Sequence, residues 1–165
     1  MTATRRGIVI ALSVLGAASS VGAQDSGSTQ AQSQVFRVDD SGTVVLDPVL
    51  EMQWQPPGRE NSASSIVSAA TRVSVQLNLA SWTGRTGRIY MTLPRTSGPT
   101  VRATWAAGGT LLSGSLVSGD RAVVYAGPIN GALLRDVIDI ELHADGARLI
   151  QPEVLAFAFE IEVNP

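Results

Sequence analysis

The chain contains no cysteine and no lysine, and His143 is its only histidine. Without thiols, cysteine nucleophiles and cysteine-based metal sites are excluded, and a single histidine excludes any multi-histidine site. The absence of lysine removes the primary amine that a Schiff-base mechanism requires. Any Ser-His-Asp triad would depend on His143 alone. We therefore expect a protein that is not an enzyme, has no cofactor or metal, and is stabilised by packing without disulfides.

Positive charge is also scarce. All twelve basic residues are arginines, and after residue 23 ten arginines stand against fourteen acidic residues. A nucleic-acid-binding domain needs a basic patch or stripe, and this net negative charge provides no basis for one. Nucleic acid is therefore not an expected partner.

The first 23 residues have the features of a secretory signal peptide. Arg5 and Arg6 precede an uncharged stretch at 7–18, and small residues follow at 21–23, which predicts cleavage after Ala23. The apolar stretch is shorter than the roughly 20 residues that a membrane-spanning helix needs. We expect export by the general secretory route to the periplasm and then to the cell surface or the medium. A retained membrane anchor and twin-arginine export are the alternatives.

Beyond the predicted cleavage site, the chain divides into a polar segment and one domain. Residues 24–34 read QDSGSTQAQSQ and contain nothing to bury, which predicts a flexible segment. Residues 35–165 are enough for one domain with a hydrophobic core and too few for two.

Alternation of apolar and polar residues dominates this domain and predicts half-buried strands. It is clearest over 72–79 and 154–163, and 43–55 is predicted to be a long edge strand interrupted at Pro48. Residues 72–79 and 89–93 are predicted to pair as a hairpin. About seven to nine short strands, without a convincing amphipathic helix, predict an all-β fold, an antiparallel β-sandwich.

The three tryptophans have different predicted environments. Trp54 and Trp105 lie on apolar faces of their strands and are predicted to be core residues. Trp82 lies in a glycine-flanked loop with Arg85 and Arg88. An exposed tryptophan beside arginines can stack on a sugar ring or anchor a protein partner, so these three are the candidate ligand or partner contacts. The alternative is that Trp82 folds back over the end of the sandwich.

An acidic cluster contains Asp136, Asp139, Glu141 and His143, and alternation places the last three on one strand face. Such a set could bind a hydrated divalent cation or act as acid and base. The solvent-exposed face of a strand accounts for the same pattern. We assign no catalytic or metal-binding role to these residues.

Two short motifs carry a resemblance to a known family. They are Asp47-Pro48-Val49-Leu50, and Val101-Arg102-Ala103-Thr104-Trp105 followed by Gly108-Gly109 and Leu111-Leu112-Ser113. In these motifs the chain resembles the pilins of alpha-class chaperone/usher fimbriae, the colonisation-factor type. The resemblance implies an immunoglobulin-like sandwich that lacks one strand, which an N-terminal extension of the next subunit supplies by β-strand addition.

The resemblance also implies partners and a donor strand. The partners would be other copies or related pilin subunits, a periplasmic chaperone and an outer-membrane usher. The candidate donor strand consists of the apolar residues before Asp47, which are Phe36, Val38, Val44 and Leu46. A turn cluster at 39–42 interrupts them and also permits pairing within the same chain.

The expected function is therefore that of an exported structural or adhesive surface protein, a pilin-like fimbrial subunit assembled by β-strand donation. The alternative is a stand-alone periplasmic or extracellular β-sandwich module that binds carbohydrate, from a host or the environment, or protein. The two differ in whether the processed chain polymerises or stays a monomer.

Overall fold

The computed structural model describes residues 7–10, for which only the backbone is described, and residues 34–54, 65–149 and 153–163. Most of these residues lie in strands. The N-terminal strands are β1 (Gly7–Ile10), β2 (Gln34–Arg37), β3 (Val44–Val45), β4 (Val49–Glu51) and β5 (Gln53–Trp54). They are followed by β6 (Ile66–Asn78), β7 (Thr86–Thr92), β8 (Arg102–Ala107), β9 (Gly114–Val117), β10 (Arg121–Pro128), β11 (Leu133–Asp145), β12 (Glu153–Leu155) and β13 (Ala158–Val163). A single 3₁₀ turn, Ala80–Trp82, joins β6 to β7. None of the described residues forms a helix long and apolar enough to cross a membrane.

Two antiparallel sheets form the sandwich. The small sheet has the strand order β10-β7-β13-β2, and the large sheet has the order β3-β6-β11-β8-β9, with β5 also paired to β6. The predicted all-β antiparallel sandwich is confirmed. Its described strands outnumber the seven to nine expected, because the N-terminal edge strand is divided into short pieces.

Strand connectivity is nested. The pair β8–β9 lies inside the pair β7–β10, which lies inside β6–β11. This order is typical of jelly rolls, whereas immunoglobulin sandwiches place strands A, B, E and D against C, F and G. The predicted hairpin between β6 and β7 is wrong, because the 3₁₀ turn carries the chain from the large sheet to the small one.

The core lies between the inward faces of the two sheets, as alternation predicts. On β6, residues Val73, Val75 and Leu77 are buried, and their polar neighbours are at most half-buried. The small sheet contributes Ile89 and Ile161 directly opposite each other. Each such aliphatic side chain contributes roughly 1.5–3 kcal/mol when it leaves water.

In the N-terminal edge strand, the positions that face the core change near Pro48. Before it, Thr43 is buried and Val44 is 58% exposed, whereas after it Leu50 and Met52 are buried. Proline cannot donate a ladder hydrogen bond, and the residues 46–48 are outside any strand. The inward positions therefore shift by one residue, which turns Val44 and Leu46 outward, in contrast to the single apolar face predicted for residues 43–55.

A third, short sheet involves the N-terminal segment. Strand β1 runs parallel to β12 and antiparallel to β4, and it lies between them. The rest of the predicted signal peptide and residues 24–33 of the predicted flexible segment lie outside the described residues. Gln34, the last residue of that segment, begins β2.

Asp40 is a buried carboxylate in the turn between β2 and β3. It is 6% exposed, and its Oδ2 atom has no hydrogen-bond partner among the described residues. Burial raises the pKa of Asp40 above its usual range, and the guanidinium of Arg37 opposes that shift only in part. The negative charge of Asp39 next to it also raises this pKa.

Asp40 should therefore make the protein less stable at neutral pH. The folded state holds the proton more tightly than the unfolded state, so stability rises as the pH falls through the raised pKa towards about 4. We expect Asp40→Asn to increase the free energy of unfolding at pH 7 by about 1 kcal/mol and to remove this part of the pH dependence. Urea unfolding of both proteins between pH 4 and 7 measures these free energies. If the free energy of unfolding depends on pH in the same way for both proteins, Asp40 is not the source of this pH dependence.

Candidate functional site

The outer face of the large sheet carries most of the polar side chains that the sequence singled out. Alternation on β11 turns Asp139, Glu141 and His143 to this face, as predicted. The ladder places Arg72 and Ala106 on either side of Asp139. In the same way, Ala70 and Thr104 flank Glu141.

A groove of about 630 Å³ crosses this face. Alanine side chains stop at Cβ, so Ala70 and Ala106 leave a low floor between longer neighbours. We call it the large-sheet groove, and the outward residues used below are Leu46, Arg72, Thr104, Asp139 and Glu141. Its full lining is Leu46, Ala70, Thr71, Arg72, Thr104, Trp105, Ala106, Asp139, Ile140 and Glu141.

A bidentate ion pair fixes one wall of the groove. Arg72 Nε lies 2.6 Å from Asp139 Oδ1, and Arg72 Nη2 lies 3.1 Å from Asp139 Oδ2. These hydrogen bonds lower the pKa of Asp139 and raise the pKa of Arg72. Both groups therefore stay charged at neutral pH, and two parallel hydrogen bonds hold their planes in one orientation.

The other acidic-cluster residues have separate environments. Glu141 Oε1 lies 3.5 Å from His143 Nε2, and His143 borders a second depression with Arg102 and Asp145. Asp136 instead accepts the Leu111 N–H at 2.7 Å and caps the loop before β9. In the described part of the chain, no three histidine or carboxylate side chains form a group that could hold a metal ion.

Trp82 ends the 3₁₀ turn, Arg85 lies in the loop that follows, and Arg88 lies on β7. Trp82 is half-buried over the end of the sandwich, where its ring centroid lies 6.0 Å from that of Phe36. The Arg85 carbonyl accepts the Ile129 N–H at 2.8 Å, and its side chain is exposed. Arg88 projects from the outer face of the small sheet, opposite Glu162. A role of these residues in binding stays a prediction.

The four candidate donor-strand residues pair within their own chain. Phe36 lies opposite Ile161 on β13, and the Val38 N–H donates to the Phe159 carbonyl at 2.9 Å. Val44 and Leu46 instead lie along β6, in the other sheet. Only Val38 of the four is buried. Donation of this segment to another copy stays a prediction.

A second polar network lies on the outer face of the small sheet. The Tyr90 hydroxyl donates to Glu162 at 2.8 Å, and the Arg121 guanidinium lies 4.4 Å from the centre of the Tyr90 ring. Arg121 also lies 3.7 Å from Glu160. Arg121 on β10 and Glu160 on β13 lie on either side of β7, and their contact is longer than that of the Arg72–Asp139 pair.

Sequence reasoning missed Leu46, Arg72 and Thr104. Arg72 and Thr104 are outward residues of β6 and β8, and Leu46 follows β3 directly. In the sequence, Thr104 is only part of a family-like motif, and Leu46 is only a donor-strand candidate. They become part of a site only through pairing of β6, β8 and β11, which the local pattern does not specify.

Comparison with known proteins adds little. No protein-family model matches the chain, and no curated protein matches it. The chain is similar to the solved structure of a carbohydrate-binding module, TmCBM61 in complex with β-1,4-galactotriose, at 10% sequence identity and a TM-score of 0.25. That similarity covers 80% of this chain and 83% of the other. At this score it carries no inference, and the fold described above rests on the strand pairing alone.

Proposed function

We propose that this chain is an exported β-sandwich binding module and that the large-sheet groove binds a neutral carbohydrate. The observation that supports the proposal is the bidentate Arg72–Asp139 pair beside an open groove that also contains Glu141 and the exposed side chain of Leu46. The sandwich fold alone does not indicate this function, because it hosts many unrelated functions. The residues of the groove are the basis of the proposal.

The groove contains the chemistry that a sugar requires. Sugar hydroxyls both donate and accept hydrogen bonds, and an ionised carboxylate offers about four lone-pair positions, of which Arg72 uses two on Asp139. Glu141 and Thr104 add further polar groups one row away. Leu46, 57% exposed, offers an aliphatic surface on which the C–H face of a sugar ring can pack.

Charge favours a neutral ligand. Two carboxylates and one guanidinium line the groove, so its local charge is negative and an acidic polysaccharide would be repelled. Asp139 is also unsuited to act as the general acid of a glycosidase, which needs a raised pKa, because its pKa is lowered. We therefore propose binding without catalysis.

Binding of soluble polysaccharides to the purified exported protein tests this proposal. We expect isothermal titration to detect at least one of a galactan, a xylan, a mannan and a glucan, and not polygalacturonate. Arg72→Ala should weaken binding roughly tenfold or more, because one charge-assisted hydrogen bond has about that effect on affinity. The melting temperature should change little, since the pair is exposed.

The control is Arg121→Ala, which removes an exposed arginine that forms a longer ion pair with Glu160 on the small sheet. It should leave the affinity unchanged. Equal losses from both variants, binding of polygalacturonate alone, or no binding of any polysaccharide would each refute the groove as a carbohydrate site.

A further inference from the structure

A second depression adjoins the large-sheet groove on the outer face of the large sheet. Its volume is about 400 Å³, and its lining includes Ile66, Arg102, Thr104 and His143. Thr104 lines the groove as well. The Glu141 carboxylate, which belongs to the groove, lies 3.5 Å from His143 Nε2. The two depressions therefore share Thr104 and are neighbouring parts of one surface.

Strand pairing sets the length of this combined surface. On β11, Asp139 lies in the groove and Asp145 lies in the second depression. Ile66 of β6 lies opposite Asp145, and Arg102 of β8 lies opposite His143. A strand rises about 3.3 Å per residue, so Asp139 and Asp145 are roughly 20 Å apart along β11. A single sugar ring is much shorter than this distance, so a ligand that contacts both depressions must contain several sugar units.

The two depressions have a similar chemical composition. Each contains an exposed aliphatic side chain, an arginine and an aspartate, which are Leu46, Arg72 and Asp139 in the groove and Ile66, Arg102 and Asp145 in the second depression. Leu46 is 57% exposed and Ile66 is 43% exposed. In both depressions an aliphatic surface can pack against the C–H face of a sugar ring, and charged groups can form hydrogen bonds with its hydroxyls. Because the same groups recur along the direction of β11, a ligand whose own groups recur along a chain fits them.

We propose, on the basis of the carbohydrate binding proposed above, that the groove and the second depression form one elongated site for an oligosaccharide of several sugar units, bound along β11. The Arg72–Asp139 pair binds one part of the oligosaccharide, and Arg102 with its neighbours binds another. Asp145 is held by its own turn, since its Oδ1 atom accepts the Ala147 N–H at 3.0 Å. The positive charge of Arg102 offsets the negative charge of Asp145, which suits a neutral chain.

Isothermal titration of the purified exported protein with disaccharides and hexasaccharides of galactan, xylan, mannan and glucan tests this site. We expect the hexasaccharide of the preferred sugar to bind at least about tenfold more tightly than its disaccharide, because only the longer ligand reaches both depressions. Arg102→Ala should weaken hexasaccharide binding roughly tenfold and leave disaccharide binding in the groove unchanged. Ile66→Ala should also weaken hexasaccharide binding, to a smaller extent. Both side chains are exposed, so the melting temperature should change little.

Arg135→Ala is the control, because Arg135 is another exposed arginine of the large sheet, on β11, but lines neither depression. It should leave both affinities unchanged. If Arg72→Ala weakens hexasaccharide binding but Arg102→Ala and Ile66→Ala do not, the groove binds alone and the elongated site is wrong, whereas carbohydrate binding by the groove stands. A disaccharide that binds as tightly as the hexasaccharide would lead to the same conclusion. If none of these saccharides or their polysaccharides binds, both the groove and the elongated site are wrong.

Discussion

Replacing Trp105 with alanine should lower the free energy of unfolding by about 3–5 kcal/mol. Trp105 is 3% exposed on the inward face of β8, and its indole N–H donates to the Leu112 carbonyl at 2.8 Å. Its ring also lies against Gly114, where an added Cβ would approach the ring to 2.9 Å. The substitution therefore leaves a large cavity and an unpaired carbonyl at the same place.

Trp54→Ala is the matched control, because Trp54 is 54% exposed at the edge of the large sheet. We expect it to cost less than about 1 kcal/mol, and Trp105→Phe to cost an intermediate amount. Urea unfolding followed by circular dichroism measures all three. Similar losses for both alanine variants would mean that Trp54 is as much a core residue as Trp105.

These two tryptophans show what alternation can predict. Within an unbroken strand, the faces follow from the sequence, as in β6 and on β8 around Trp105. Trp54 was predicted to be a core residue for the same reason, and that prediction was wrong. Trp54 has the phase of the buried Leu50 and Met52 and lies opposite the buried Val67, so the break near Pro48 does not account for its exposure. It lies in a two-residue strand that pairs, among the described residues, only with the start of β6.

The groove shows a second limit. The common face of Asp139, Glu141 and His143 was predictable because it is a property of one strand. Arg72, which fixes Asp139, lies 67 residues away in sequence and meets it only through the β6–β11 register. Pairing between distant strands is set by the whole core. The sequence therefore predicted the sandwich and part of one face, but neither the nested connectivity nor the groove.

Replacing Gly87 with valine should cost about 3 kcal/mol or more, because overpacking at this position cannot be relieved by a side-chain movement alone. Gly87 is buried in β7, between β10 and β13. A Cβ there would lie 2.9 Å from the Glu162 carbonyl oxygen and 3.1 Å from Val163 Cγ1. The first of these atoms is backbone, so β13 itself would have to shift.

Gly131→Val is the matched control. Its added Cβ would meet nothing closer than the Leu133 carbonyl oxygen at 3.8 Å. We expect it to change the free energy of unfolding by less than about 1 kcal/mol, and Gly87→Ala to fall between the two valine variants. Displacement of β13 would also disturb its partner β2, so the Val38 amide, bonded to the Phe159 carbonyl, should exchange faster with solvent in Gly87→Val. If the Gly87→Val protein is as stable as the unsubstituted protein, the space between β7 and β13 is wide enough for a valine side chain.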